Sequence, residues 1–143
     1  MNNYNISEAR YKQLKQWMRD YPMWQNELGL TYTPVIPSSA EIQSTGISDP
    51  TGERAIILER YRTNCNMVES ALVIAKIPLS DQNMVIFNVV NNTSYDDLVD
   101  RFGLRTTEIE FKAEVRRFLY YLDRVLAGYA LNYIERALSE YTT

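Results

Sequence analysis

The residue types on which most enzyme mechanisms depend are scarce in this sequence. There is no histidine, so Ser-His-Asp and Cys-His nucleophilic arrangements are excluded. The single cysteine, Cys65, falls on an apolar helical stripe and is expected to be a core residue. Asp96, Asp97 and Asp100 belong to a short predicted helix, where carboxylates near the start favour the helix dipole rather than bind a metal. Because the sequence also lacks a phosphate-binding glycine loop and zinc-ligand spacing, we expect no enzyme, no cofactor and no metal.

The chemistry that the sequence favours is hydrogen bonding to nucleic acid from positions 101 to 117. Arginine and lysine bind phosphates and guanine, and threonine hydroxyls bind phosphates and base edges. The predicted DNA-contacting residues are Arg101, Arg105, Thr106, Thr107, Lys112, Arg116 and Arg117. Three acids, Glu108, Glu110 and Glu114, lie among them, and residues 93–124 carry seven acidic and six basic side chains. The same segment is therefore also compatible with packing or with a surface that contacts protein.

A helix-turn-helix is the element that would position these side chains. Such a motif needs two adjacent core residues in its first helix, here Leu98 and Val99. It needs a glycine where the chain turns, here Gly103, because a side chain would clash there. Leu104 is expected to fill the corner between the helices, and Ile109 is expected to anchor the second helix. All these residues occur at the intervals that the motif requires.

The hydrophobic periodicity predicts an all-α protein, a helical bundle that ends in a long helix. Residues 1–29 form an N-terminal helical segment in which Ser7 is an N-cap, Pro22 ends or kinks the first helix, and Gly29 ends the segment. Residues 30–48, rich in proline, serine, threonine and glycine, predict a linker or an extended loop. Residues 49–143 form a helical domain that contains the helix-turn-helix at about 78–123 and a terminal helix from about Thr106 to Tyr141.

Two further helices are expected between the linker and the helix-turn-helix. The first begins at Asp49-Pro50, and its apolar stripe is more typical of a core-facing helix than of a coiled coil. The stripe comprises Leu58, Tyr61, Cys65, Val68, Leu72 and Ala75. The second is a short, buried helix, apolar on most sides, which Ser80 and Asp81 are expected to cap.

Tyrosine is abundant, with eleven residues in the chain. Those of the last helix are Tyr120, Tyr121, Tyr129, Tyr133 and Tyr141. Tyrosine packs well while its hydroxyl stays hydrated, which suits a subunit interface. A homodimer would also suit a helix-turn-helix protein that reads a two-fold operator. The alternative is a core shared with the N-terminal helix through Trp17 and Trp24, and the two possibilities are compatible.

The layout of residues 48–126 resembles a known family. Ile77 to Phe87, with Leu79 directly after Pro78, resembles the start of region 4 of bacterial sigma factors, where a similar turn opens a buried helix before a helix-turn-helix. The run from Arg116 to Leu122 resembles the basic and apolar end of the sigma recognition helix. Together with Ser48 to Ala55 before a long helix, the chain is similar to phage transcriptional regulators of the RinA/ArpU type.

The resemblance implies a phage-encoded DNA-binding regulator of late genes. Its expected partners are double-stranded DNA, host RNA polymerase and a second copy of the chain, in the cytoplasm of the host bacterium. The alternative is a protein-interaction factor that binds host RNA polymerase or a phage packaging component through the same fold without reading DNA. A net charge of −3 provides no global basic field, so DNA binding would depend on a local patch. No stretch is apolar enough for a membrane span, and no membrane partner is expected.

Overall fold

The computed structural model describes residues 4–29 and 51–142, with side chains described for residues 4–29 and 52–128. Within these ranges the chain forms helices and no strand, which confirms the predicted all-α class. The predicted linker at 30–48 and the predicted helix start at Asp49-Pro50 lie outside the described residues. None of the described helices combines the length and the apolarity that crossing a membrane requires.

The N-terminal segment contains two short helices, α1 (Glu8–Met18) and α2 (Tyr21–Leu28). Ser7 caps α1 as predicted, because its Oγ accepts a hydrogen bond from the Arg10 backbone N–H at 3.1 Å. Pro22 does not end α1, which already stops at Met18. It lies in the first turn of α2, where a missing N–H costs no helical hydrogen bond. Gly29 ends α2 with a left-handed φ of 72°, as predicted.

The helices before the helix-turn-helix are α3 (Thr51–Ile74) and α4 (Leu79–Asn91). The predicted stripe of α3 is buried in its second half, at Cys65, Val68, Leu72 and Ala75, and half-buried at Leu58 and Tyr61. Ser80 and Asp81 do not cap α4, because that helix begins at Leu79 and its N-cap is Pro78. Only one face of α4 is fully buried, at Asp81, Val85 and Val89, so the helix is less enclosed than predicted.

The helix-turn-helix consists of α5 (Tyr95–Phe102) and the start of α6 (Glu108–Thr142). The Ser94 hydroxyl caps α5 by accepting the Asp97 backbone N–H at 3.2 Å. Gly103 ends α5 at φ 72°, and its N–H bonds to carbonyls of the preceding turn. Thr107 caps α6 through a 3.3 Å hydrogen bond from the Glu110 N–H. The long terminal helix is confirmed.

The chain divides into two compact units, one built from Met1–Arg19 with Met67–Thr143 and the other from Asp20–Asn66. In the first unit α1 contacts α4 and α6. Its largest fully buried side chains are Leu14, Met18, Val68, Val85, Val89, Leu98, Phe111, Phe118, Leu119 and Leu122. The Tyr4 ring contacts the rings of Tyr120 and Tyr121 at centroid distances of 5.4 and 5.8 Å. Both helices of the helix-turn-helix fall within Met67–Thr143, so the first unit contains the whole motif.

The second unit is organised around Tyr21 and Trp24, whose buried rings meet edge to face at 6.4 Å. In the same unit Arg54 forms an ion pair with Glu27 at 2.7 Å. Cys65 is buried there, as predicted for a core residue. The side chains of Tyr129, Tyr133 and Tyr141, which the sequence suggested as part of a subunit interface, lie outside the described residues.

Candidate nucleic-acid interface

The corner of the helix-turn-helix is closed by the residues that the sequence predicted, with one exception. Leu98 and Leu104 are buried, Val99 is half-buried, and Gly103 has the left-handed backbone that the turn requires. Ile109 does not anchor α6, because its side chain is 83% exposed. The anchor is Phe111, which is 1% exposed and contacts the Tyr95 ring at 6.1 Å.

One side of α6 forms a continuous exposed surface at its N-terminal end. The exposed stripe, as we call it, consists of Glu108, Ile109, Lys112, Ala113 and Arg116. These positions recur at intervals of three and four residues, so they lie along one face of the helix. Two of its cations differ in their partners. Lys112 pairs with Glu108 at 3.3 Å, whereas Arg116 makes no hydrogen bond or ion pair to any residue that the structure describes.

Three other predicted DNA-contacting residues surround this stripe. Arg101 and Arg105 are exposed, at the end of α5 and in the turn. Thr107 is also exposed, although its hydroxyl already accepts a hydrogen bond as the cap of α6. The structure thus leaves both guanidinium groups accessible to a ligand.

The remaining two predicted residues have partners within the protein. The Thr106 hydroxyl donates to Asp81 Oδ2 at 2.5 Å, and the Thr106 carbonyl accepts from the Tyr95 hydroxyl at 2.6 Å. Arg117 is half-buried and its Nε donates to the Ala75 carbonyl at 2.9 Å, just beyond the end of α3. Both side chains therefore help to hold the helix-turn-helix together, and contact between either one and DNA stays a prediction.

A buried polar group, the carboxyl cluster, joins the three helices α4, α5 and α6. It consists of Asp81 on α4, Thr106 in the turn and Glu114 on α6, with Tyr95 of α5 bonded to Thr106. Asp81 is 4% exposed and Glu114 is 6% exposed. Glu114 Oε1 is buried and has no hydrogen-bond partner among the described residues. Two buried carboxyl groups that repel each other favour the state in which one of them carries a proton.

The carboxyl cluster shifts the titration of Glu114. Burial, followed by the hydrogen bond and the charge repulsion from Asp81, raises the pKa of Glu114 from 4.5 to about 7. Arg117 lies close enough to oppose this shift but does not cancel it. Glu114 is therefore partly protonated near neutral pH, and it contributes less negative charge to α6 than its sequence position suggests.

The sequence did not predict that Asp81 and Glu114 meet in the core, although one signal indicated that Glu114 needs a partner. Phe111, Val115, Phe118 and Leu122 define the buried face of α6, and Glu114 falls on that face. A carboxylate within an apolar stripe requires a partner, which the sequence could have flagged. No protein-family model, curated protein or solved structure matches the chain. The resemblance to phage regulators therefore rests on the residues quoted for it.

Proposed function

We propose that this chain is a DNA-binding transcriptional regulator whose α6 enters the major groove of double-stranded DNA. The observation that carries the proposal is the exposed stripe, which lies at the start of the second helix of a helix-turn-helix. That end of the second helix is the part that contacts base edges in helix-turn-helix proteins. The assignment to late genes of a phage is also a proposal, and its support is the resemblance to RinA/ArpU-type regulators.

The side chains of the stripe have chemistry suited to a groove. Arg116, which has no partner among the described residues, has the donor geometry for a bidentate contact to guanine. Ile109 could contact a thymine methyl group. Glu108 is paired with Lys112, which reduces its repulsion of phosphate, and a glutamate can also accept a hydrogen bond from cytosine N4. Arg101 and Arg105 are placed for backbone contacts rather than for reading sequence.

A binding experiment with a charge-matched control tests this proposal. Duplexes are selected from a random-sequence library and from fragments of the DNA that surrounds the coding sequence, and affinity is measured by fluorescence anisotropy at several salt concentrations. We expect selective, salt-dependent binding that the double variant Lys112→Gln with Arg116→Gln weakens at least tenfold.

The control is the double variant Arg60→Gln with Arg62→Gln, which removes the same charge from exposed positions of α3. We expect this control to bind like the wild type. Absence of binding at low salt, binding without salt dependence, or equal losses in both double variants would contradict the proposal.

A second candidate function is protein recognition through the same turn of α6. The observation that favours it is the 83% exposed Ile109, flanked by Glu108 and Glu110, because an apolar side chain within an acidic turn suits a protein surface. In this case a pull-down of purified host RNA polymerase should survive the combined Arg105→Ala and Lys112→Ala changes and should be lost with Ile109→Asp. Loss of the interaction in the Arg105/Lys112 variant, with the fold intact, would count against this function.

A further inference from the structure

A cleft of about 510 Å³ lies beside the exposed stripe, between α1 and α6. Its floor is apolar and includes the buried side chains of Phe111 and Val115. Its polar rim is formed by three separate segments of the chain, and no sequence pattern links them. The rim residues are Lys15 of α1, Asn92 and Ser94 between α4 and α5, and Glu108, Lys112 and Arg116 of α6.

The charges around this cleft favour an anion. Three cations, Lys15, Lys112 and Arg116, face a single carboxylate, Glu108, which is paired with Lys112. The Lys15 ammonium is held in place, because it donates to Asn92 Oδ1 at 2.7 Å and lies 5.6 Å from the centroid of the Tyr11 ring. An ammonium has three donors, so two remain for a ligand. A cation that is already positioned loses less conformational entropy when a ligand binds.

A second cleft, of about 460 Å³, adjoins the other side of the exposed stripe. It is lined by Tyr4, Asn5, Ile109, Lys112, Ala113, Arg116 and Arg117. The start of α6 is therefore flanked on both sides by concave, cationic surfaces. A helix in the major groove is flanked by the phosphates of two strands, because the groove is about 12 Å wide, so these cationic surfaces complement the anionic groove walls.

We propose that the cleft between α1 and α6 receives phosphates of one DNA strand, and that Lys15 binds a phosphate from outside the helix-turn-helix. The proposal rests on the proposed DNA-binding function. The ligand chemistry is a phosphodiester, which Lys15 and the Ser94 hydroxyl can bind as donors. α1 is thus part of the DNA-binding surface, in addition to being a core helix of the first unit.

The decisive experiment compares two lysines of the same helix. Lys12 and Lys15 are three residues apart on α1, but only Lys15 lines the cleft, while Lys12 is exposed. Affinity for the duplex selected above is measured from 50 to 300 mM salt for Lys15→Gln and Lys12→Gln. For Lys15→Gln we expect three- to tenfold weaker binding and a decrease of about 0.9 in the slope of log K against log salt. Lys12→Gln should match the wild type in both quantities.

Two further measurements keep the outcomes distinct. Thermal unfolding checks that the Lys15→Gln variant folds. We expect it to fold, because the glutamine amide can still donate a hydrogen bond to Asn92 Oδ1. Competition with inorganic phosphate tests whether the cleft serves a free anion, and we expect no displacement of DNA beyond the effect of ionic strength. Equal slopes for the two variants, or specific displacement of DNA by phosphate, would overturn the role of Lys15. In either case, DNA binding by the wild type would still support the proposed function. A wild-type chain that fails to bind DNA would overturn both.

Discussion

At the scale of single residues, the buried Glu114 makes the stability of this protein depend on pH. Its pKa is raised to about 7 by burial, by a hydrogen bond with Asp81 and by that residue's charge, whereas an unfolded chain has the ordinary value near 4.5. Between these two values the folded state holds a proton that the unfolded state has lost. Stability from this group is therefore fully present below about pH 4.5 and is lost as pH rises through about 7.

Replacing Glu114 by glutamine tests this linkage. Glutamine is neutral at every pH and can donate to Asp81, so the Glu114→Gln variant should lose this part of the pH dependence. We expect the wild type to lose roughly 2 kcal/mol of unfolding free energy from Glu114 between pH 5 and pH 8. Urea unfolding at both pH values measures the loss. The exposed-site control Glu69→Gln should retain the wild-type dependence, and an unchanged pH dependence in Glu114→Gln would contradict the assignment.

The correction at Ile109 leads to a second prediction at this scale. Because Ile109 is 83% exposed, Ile109→Ala should change the free energy of unfolding by no more than about 0.5 kcal/mol. Phe111 is 1% exposed, and Phe111→Ala should cost about 3 to 5 kcal/mol. Urea titrations of the two variants measure both values. A large loss in the isoleucine variant would restore Ile109 as the anchor of α6.

At the scale of elements, Gly103 determines where α5 ends. Its φ of 72° lies in the left-handed region, where a side chain strains the backbone, yet an added Cβ would meet no atom within 4 Å. Gly103→Ala should therefore cost about 1 kcal/mol through backbone strain alone. Gly128, in the middle of α6, also has free space around it, and Gly128→Ala should stabilise by about 0.5 to 1 kcal/mol. Thermal unfolding checks the two values, and effects of the same sign would contradict this account.

The sequence predicts the helix ends that a capping hydroxyl or a glycine fixes locally, whereas the predicted cap of Ser80 and Asp81 on α4 is wrong. Ser7, Ser94 and Gly103 act through hydrogen bonds or backbone angles within a few residues, so local pattern is sufficient to find them. The spacing of the motif predicts a buried Ile109, but Ile109 and Phe111 are two residues apart and therefore lie on nearly opposite sides of the helix, with Phe111 in the core. The apolar periodicity that starts at Phe111 identifies the buried face of α6 correctly.

The candidate site was predictable only where it lies within one segment of the chain. Positions 101 to 117 stand out because basic and hydroxyl residues cluster there. Lys15 and Asn92 are 77 residues apart, and their contact depends on the packing of α1 beside α4 and α6. The partnership of Asp81 with Glu114 also arises from packing between helices, and no local pattern specifies it.

At the scale of the whole molecule, the charge balance limits how DNA can be bound. With a net charge of −3, long-range attraction is absent, and affinity must come from the few cations near α6. Five of them belong to the proposed surface: Lys15, Arg101, Arg105, Lys112 and Arg116. The slope of log K against log salt should therefore lie between about −3 and −5 for the wild type. Anisotropy titrations from 50 to 300 mM salt measure it, and a slope steeper than about −7 would require a larger surface.

The ion pair between Arg10 of α1 and Asp123 of α6, at 2.6 Å, spans 113 residues of sequence. Ribosomes add about 5 to 20 residues per second, so α1 is synthesised on the order of ten seconds before its partner exists. During that interval Leu14 and Met18, both fully buried in the finished protein, have no α6 to pack against. The first unit can be completed only after α6 has been synthesised. A nascent chain arrested before α6 should therefore expose these side chains to chaperones and proteases.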